Sequence, residues 1–171
     1  SWKDFFLGEK GERNTRLFLI LATAFFVLVF VGFYPPYFVA VDEHQYVMNA
    51  SMLANGSAQA PAHEWACIAR ELENGQFVSG YPAGRSFTLI PFLGVGFSWL
   101  FLSGLLMHLL IFLLFILILY RLHLPRGYAL LYLFFHAFQW EARTLFSELG
   151  VLAFFLLAYY FWLSHRERGA F

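Results

Sequence analysis

Two adjacent carboxylates, Asp42 and Glu43, and the imidazole of His44 follow shortly after the first long apolar stretch of the chain. A carboxylate can remove a proton from an attacking group, hold a metal ion or orient a bound hydroxyl group. Ionised groups beside a bilayer are costly to desolvate, so their presence there favours a functional role. We therefore take Asp42 and Glu43 as candidate catalytic residues, and His44 as a candidate for contacting a substrate.

The two carboxylates cannot both serve one reacting atom. Successive residues of a helix point about 100° apart. We expect Asp42 to face the reacting group, because its short side chain holds the carboxylate close to the backbone. A structural role is the alternative for both residues: Asp42 could cap the helix that follows it, and Glu43 would then interact with the positive end of that helix.

Arg85 stands directly after the sequence Tyr81-Pro82-Ala83-Gly84. A guanidinium at a membrane surface can bind a phosphate through two parallel hydrogen bonds, which makes Arg85 a candidate phosphate ligand. The alternative is that Arg85 extends toward lipid headgroups, as arginines at this depth commonly do. The turn before it, with its aromatic anchor, is more typical of architecture than of chemistry.

A second group of candidates lies near the start of the last apolar stretch. Arg143 could contact a phosphate or pair with a neighbouring carboxylate. Glu148 could line a cavity, and the alternative is that it only stabilises the positive end of the helix it begins. His108 and His136 lie within apolar stretches and are expected to hydrogen-bond between helices.

The composition is that of a membrane protein. Of the 171 residues, 60% are hydrophobic and 22% aromatic, and only 13% are charged, whereas soluble domains carry about 25% charged residues. We therefore predict an all-α integral membrane protein. The net charge is zero and no basic cluster points to a nucleic acid. The single cysteine, Cys67, excludes a disulfide within the chain.

The apolar stretches divide the chain. About 18 to 20 apolar residues cross a bilayer, which predicts four spans, at residues 17–34, 98–120, 127–145 and 149–163. Residues 1–16 are expected to lie at the interface and residues 164–171 to form a tail. The loop of residues 35–86 is expected to carry interfacial helices over residues 41–55 and 63–73, and a further one should end near Leu93.

The basic residues orient these spans. Of the 11 Lys and Arg, four lie in residues 1–16, two in residues 121–126 and two in the tail. The positive-inside rule then places both termini in the cytoplasm and the loop of residues 35–86 outside. We expect a bacterial inner membrane. The residues require no cofactor, although a divalent ion shared between Asp42 and a phosphate is compatible with them. His63-Glu64 lacks the second histidine of a zinc helix.

Three segments carry a resemblance to a known family: VDEHQYVMNASMLANG at residues 41–56, NGQFVSGYPAGRSFTLIPFLGVG at 74–96 and SELGVLAFFLLAYYFW at 147–162. In this order and topology they resemble the N-terminal part of the GT-C superfamily of membrane glycosyltransferases. The likeness is to the protein-mannosyltransferase and aminoarabinose-transferase branch, and it extends over residues 15–163 or so.

Members of that superfamily transfer a sugar from a polyprenyl-phosphate carrier to an acceptor on the non-cytoplasmic side. The resemblance implies that Asp42 or Glu43 takes the place of the catalytic acidic residue. It also implies that Tyr81 to Gly84 shape the rim of the cavity and that Glu148 matches a later acidic position. Family members usually have seven or more spans, so we expect either a fragment of a longer enzyme or a reduced relative.

Two other interpretations use the same sequence. The chain could be a non-catalytic membrane subunit that packs its Phe-rich faces against other membrane subunits. A transporter is the weaker interpretation, because few polar residues lie within the spans and no pair of broken helices is related by internal symmetry. The enzyme would need a lipid-linked sugar as its partner, whereas the subunit would need only lipid and other chains.

Overall fold

The computed structural model of the chain describes residues 9–33, 38, 41–57, 69–71, 77–79, 83–135, 142, 144–145 and 147–168. The helices are α1 (Glu9–Gly32), α2 (Val41–Ala54), α3 (Ala83–Leu93), α4 (Phe97–Leu100), α5 (Leu102–Arg121), α6 (Ala129–Phe134) and α7 (Glu148–Arg168). A single 3-10 turn, Arg126–Tyr128, precedes α6. Strands β1 (Ala69–Glu71) and β2 (Phe77–Ser79) form an antiparallel pair in which Arg70 faces Val78.

Three helical stretches in these residues are long and apolar enough to cross a membrane: Gly11–Gly32, Phe97–Arg121 and Glu148–His165. The helical fold expected from composition is therefore confirmed in the described residues, apart from the small β1–β2 pair, and the length and apolar character of these three stretches are consistent with a membrane protein. The first helix begins earlier than predicted, because α1 starts at Glu9. Residues 9–16, which were predicted to belong to an interfacial segment, form its first turns. The other two cover the predicted spans at residues 98–120 and 149–163.

The predicted interfacial helices are only partly correct. Helix α2 agrees with the one predicted at residues 41–55, and Gly56 ends it with a positive φ of 70°. Helix α3 ends at Leu93 as expected. The helix predicted at residues 63–73 is wrong where the structure describes it, because residues 69–71 pair with β2 and their backbone bonds go to that strand.

Helix α1 is buried along one face only. Leu19, Ala22, Phe26 and Phe30 are buried at helical spacing, whereas the neighbouring face exposes large apolar side chains, among them Phe18, Leu21, Phe25 and Leu28. A surface of this kind is stable against lipid and unfavourable against water. The buried ring of Phe26 stacks on His108 of α5 with centroids 4.9 Å apart. This contact holds α1 against the centre of the bundle.

After α5 the chain runs back along that helix. Where this returning segment begins, the guanidinium of Arg126 lies 4.8 Å from the centroid of the Tyr120 ring. Farther along, the hydroxyl of Tyr132 and Nδ1 of His108 are 2.9 Å apart, which is the bond between helices expected of that histidine. Next to the other end of α5, the backbone carbonyls of residues 142 and 144 lie against Gly104.

The predicted third span, residues 127–145, is therefore wrong as a continuous helix. Helix α6 has only six residues, and Phe135 after it has an extended backbone with ψ 121°. Farther along the sequence, the backbone N–H and carbonyl of Leu145 bond to the side chains of Glu43 and Arg85 and not to a helical turn. Ala142, Thr144 and Leu145 are all buried, and non-helical backbone is tolerated at membrane depth where protein covers it.

These contacts define two ends of the bundle. The basic end carries Arg13, Arg16, Arg121 and Arg126, and there Arg126 contacts Glu12 of α1. The far end carries α2, α3 and residues 144, 145 and 147. Since the chain contacts the basic end at residue 126 and the far end at residue 145, it passes from one end to the other between them.

Candidate functional site

Helix α2 turns its two adjacent carboxylates into different surroundings. Glu43 is fully buried, at 0% exposure. Asp42 is only partly buried. This divergence is the one expected from 3.6 residues per turn. Of the two, Asp42 is the carboxylate that a substrate can approach, and Glu43 faces the inside of the protein.

The buried carboxylate of Glu43 binds a loop that lies 102 positions away in the sequence. Its Oε1 accepts a hydrogen bond of 2.8 Å from the backbone N–H of Leu145. One turn farther along α2, the hydroxyl of Tyr46 lies 3.2 Å from Oγ of Ser147. The two bonds fix α2 to the segment that leads into α7, and Asp42 is held on the same helix.

Arg85 of α3 binds the same loop from another side. Its Nε donates to the carbonyl of Leu145 at 3.0 Å. Its Nη2 donates to Oγ of Ser103 at 2.8 Å, and its Nη1 to Oγ1 of Thr88 at 2.9 Å. The side chain is 5% exposed. In this arrangement Arg85 uses donors on all three of its nitrogens to join α3, α5 and the loop, where the sequence suggested a phosphate ligand.

The charge of Arg85 is kept inside the protein. Burial lowers the pKa of its guanidinium to about 10, and the nearby Tyr46 and Glu43 act in the opposite direction. The group is therefore still protonated at neutral pH. A buried cation is stable only when its donors are bonded and an anion lies near, and here the Glu43 carboxylate supplies the negative charge.

Leu145 is the point where these interactions meet. Its N–H is bonded to Glu43 and its carbonyl to Arg85, and its side chain is fully buried. We call the set Glu43, Tyr46, Arg85, Ser103, Leu145 and Ser147 the polar cluster. It joins α2, α3, α5 and the start of α7 at the far end, so the backbone that carries Asp42 is held from several sides.

The rings of Phe38, His44, Phe97 and Phe101 form an aromatic wall beside the polar cluster. The rings of Phe38 and His44 have centroids 3.8 Å apart. Phe38 also packs against Phe97 and Phe101, with centroids at 5.0 and 5.7 Å. His44, a predicted substrate contact, is therefore half-buried on this wall, one helical step beyond the buried Glu43.

The remaining predicted site residues lie in different places. The side chain of Glu148 is exposed at the first position of α7. Tyr81 and Arg143 lie outside the described residues, as does His136. The structure thus brings Asp42, Glu43, His44 and Arg85 to one end of the bundle, and it places Glu148 one residue beyond Ser147 of the polar cluster.

Several polar residues of the site were missed from the sequence. Gln45 and Asn49 are buried on α2, and Ser86 on α3 is fully buried. Nε2 of Gln45 and Oγ of Ser86 have no hydrogen-bond partner in the described part of the protein. The signal was available for Gln45 and Asn49, which stand three and seven positions after Asp42 and therefore share its side of the helix. Two of the three partners of Arg85 could not be found, because Ser103 and Leu145 lie 18 and 60 positions away in the sequence.

The described side chains contain no group of three or more His, Cys, Asp or Glu placed to hold a metal ion. Comparison with protein-family models gives no match. Comparison with curated proteins and with solved structures gives none either. The function must therefore be argued from the residues and their geometry.

Proposed function

We propose that the chain is a glycosyltransferase, or the N-terminal part of one, that uses a polyprenyl-phosphate-linked sugar at the non-cytoplasmic face of a membrane. The observation that carries this proposal is the pair at the start of α2. Asp42 is accessible, while Glu43 beside it is buried and bonded to Leu145. A carboxylate on a helix that is fixed in this way is suited to catalysis, because the group is already held in position before the substrate binds.

In the proposed reaction, Asp42 accepts the proton of an acceptor hydroxyl group. The acceptor oxygen forms a bond to the anomeric carbon of the sugar while the bond from that carbon to the carrier phosphate breaks. Polyprenyl phosphate leaves with the electron pair of the broken bond. A base positioned in this way accelerates proton transfer by about 10²- to 10⁴-fold.

The other predicted residues receive supporting roles. His44, which stands two positions after Asp42 and contacts the ring of Phe38, is proposed to contact the sugar. Arg85 and Glu43 position α2 through Leu145. Tyr81 and Glu148 keep the roles that the resemblance to GT-C enzymes implies, at the rim of the cavity and at the later acidic position. Arg143 is proposed to contact the carrier phosphate.

The proposed topology has four crossings, with both termini on the cytoplasmic side and residues 35–86 outside. It is supported by the three apolar helices and by the passage of the chain from the basic end at Arg126 to the far end at Leu145. The positive-inside rule assigns the basic end to the cytoplasm. The far end, with Asp42, then faces the compartment in which lipid-linked sugars are consumed in this superfamily.

The direct test replaces Asp42 with Asn in the full-length protein that contains this chain. Proteoliposomes are supplied with a radiolabelled polyprenyl-phosphate sugar, and label transfer to acceptor is measured. Because Asn cannot take up the proton, we expect the rate to fall by about 100-fold or more. Ser51→Ala, on the exposed side of the same helix, should retain the wild-type rate. Transfer by Asp42→Asn at a near wild-type rate would show that Asp42 is not the base.

A further inference from the structure

A cavity of about 210 Å³ lies at the basic end, opposite the proposed active site. It opens between the first turns of α1 and the connection from α5 to α6. Glu12 comes from α1, Tyr120 from the last turn of α5, and His123, Leu124 and Arg126 from the connection. His123 follows the end of α5 in the left-handed conformation, with φ 54°. The proposed glycosyl transfer makes no use of this cavity.

Charged groups lie at and beside the cavity: its lining carries Glu12 and Arg126, and Arg16 lies just outside the lining. Arg126 donates to Oε1 of Glu12, and Arg16 approaches the same oxygen at 3.4 Å. Two guanidiniums therefore share one carboxylate. The guanidinium of Arg126 also lies over the ring of Tyr120 at 4.8 Å. It carries five N–H donors in a planar fork, so it has the capacity to bind an anion in addition to Glu12.

The border of the cavity is apolar and exposed. Leu124 is 46% exposed and Tyr120 is 58% exposed, and both line the cavity. Leu122, two positions before Leu124, is also exposed. In a membrane this surface faces acyl chains, and aromatic residues such as Tyr120 favour the depth of the headgroups. A ligand that fits must therefore combine a negative headgroup with an apolar tail.

We propose that this cavity binds the phosphate of an anionic phospholipid, such as phosphatidylglycerol, from the leaflet at the basic end. Arg126 donates to the phosphate and His123 lies beside it, while the acyl chains follow the exposed Leu124 and Leu122. Basic pockets at the cytoplasmic ends of membrane helices recognise anionic headgroups in this way. The bound lipid would hold the start of α1 against the connection between α5 and α6.

Native mass spectrometry of the detergent-solubilised protein tests the proposal. The protein is incubated with phosphatidylglycerol or with phosphatidylcholine, and the lipid retained per protein is counted. We expect the wild type to retain phosphatidylglycerol preferentially. Arg126→Gln should weaken that retention about tenfold, because it removes a charged donor to the phosphate. Arg121→Gln is the matched control, since Arg121 lies over Tyr160 instead of in the cavity.

A second variant separates binding from a purely structural role of Arg126. Glu12→Gln removes the competing carboxylate and should strengthen phosphatidylglycerol retention severalfold, although it also weakens the contact with Arg126. Equal retention of the two lipids by the wild type would overturn the proposal, as would equal losses in Arg126→Gln and Arg121→Gln or a loss in Glu12→Gln. Displacement of the lipid by excess inorganic phosphate would instead assign the cavity to a soluble anion.

Discussion

Replacing Glu43 with Leu is expected to lower the free energy of unfolding by about 2–3 kcal/mol, which is the typical cost of leaving a buried donor without its charged hydrogen-bond acceptor. The substitution takes away the acceptor for the Leu145 N–H. It also leaves the buried guanidinium of Arg85 without the nearby negative charge that favours its charged form. Both groups lie inside the protein, so water cannot replace the lost interactions without opening the far end.

Glu43→Gln is the matched variant for this prediction. Gln keeps an acceptor oxygen at the same distance along the side chain but removes the charge, so we expect it to lose clearly less than Glu43→Leu. Stability can be measured in mixed micelles as the fraction of denaturing detergent is raised. If Glu43→Leu proved as stable as the wild type, the polar cluster would not hold the far end together.

The second large effect is expected at Gly104. A Cβ at this position would press against the carbonyl of Ala142 and lie 3.0 Å from that of Thr144. These are backbone atoms of a segment fixed at Leu145, so they cannot move aside as a flexible side chain would. We expect Gly104→Ala to cost about 3 kcal/mol, at the upper end of the usual range for overpacking.

Gly150 supplies the control for the same change. It is a buried helical glycine on α7, and a Cβ there would meet no atom within 4 Å. Gly150→Ala should therefore be neutral or stabilising by about 0.5–1 kcal/mol through helix propensity. Thermal unfolding of the two variants in the same detergent gives the comparison. Equal effects at the two positions would contradict the close approach of residues 142 and 144 to α5.

The helices that cross the bundle were predictable because their signal is local. Residues 17–34, 98–120 and 149–163 are long and apolar enough to cross a membrane. A segment in lipid has to form its backbone hydrogen bonds within itself, and an α-helix does so. The divergence of Asp42 from Glu43 also followed from the helical repeat. Gly56, at the end of α2, agrees with a general rule on glycine.

The remainder depended on contacts that no local pattern encodes. Residues 127–145 are as apolar as a span, yet the backbone of Leu145 is bonded to Glu43 and Arg85, which lie 102 and 60 positions away. The same contacts made Arg85 a structural residue where the sequence suggested a phosphate ligand. Gly104 gave no sign of its importance, because the carbonyls that approach it belong to a different segment.

In the proposed topology, the end of the bundle with Asp42 faces away from the cytoplasm, while the basic end faces into it. The chain has a single cysteine, so Cys67→Ser provides a background without thiols. Single cysteines are then introduced by Asn55→Cys, at the end of α2, and by His123→Cys, at the basic end. Both positions are exposed.

Labelling of intact cells with a membrane-impermeant maleimide is the most direct measurement. The Asn55→Cys variant is expected to be labelled in intact cells, and the His123→Cys variant only after the membrane is disrupted. Labelling of the His123→Cys variant from outside, with the Asn55→Cys variant protected, would contradict the proposed topology, because Asp42 would then face the cytoplasm.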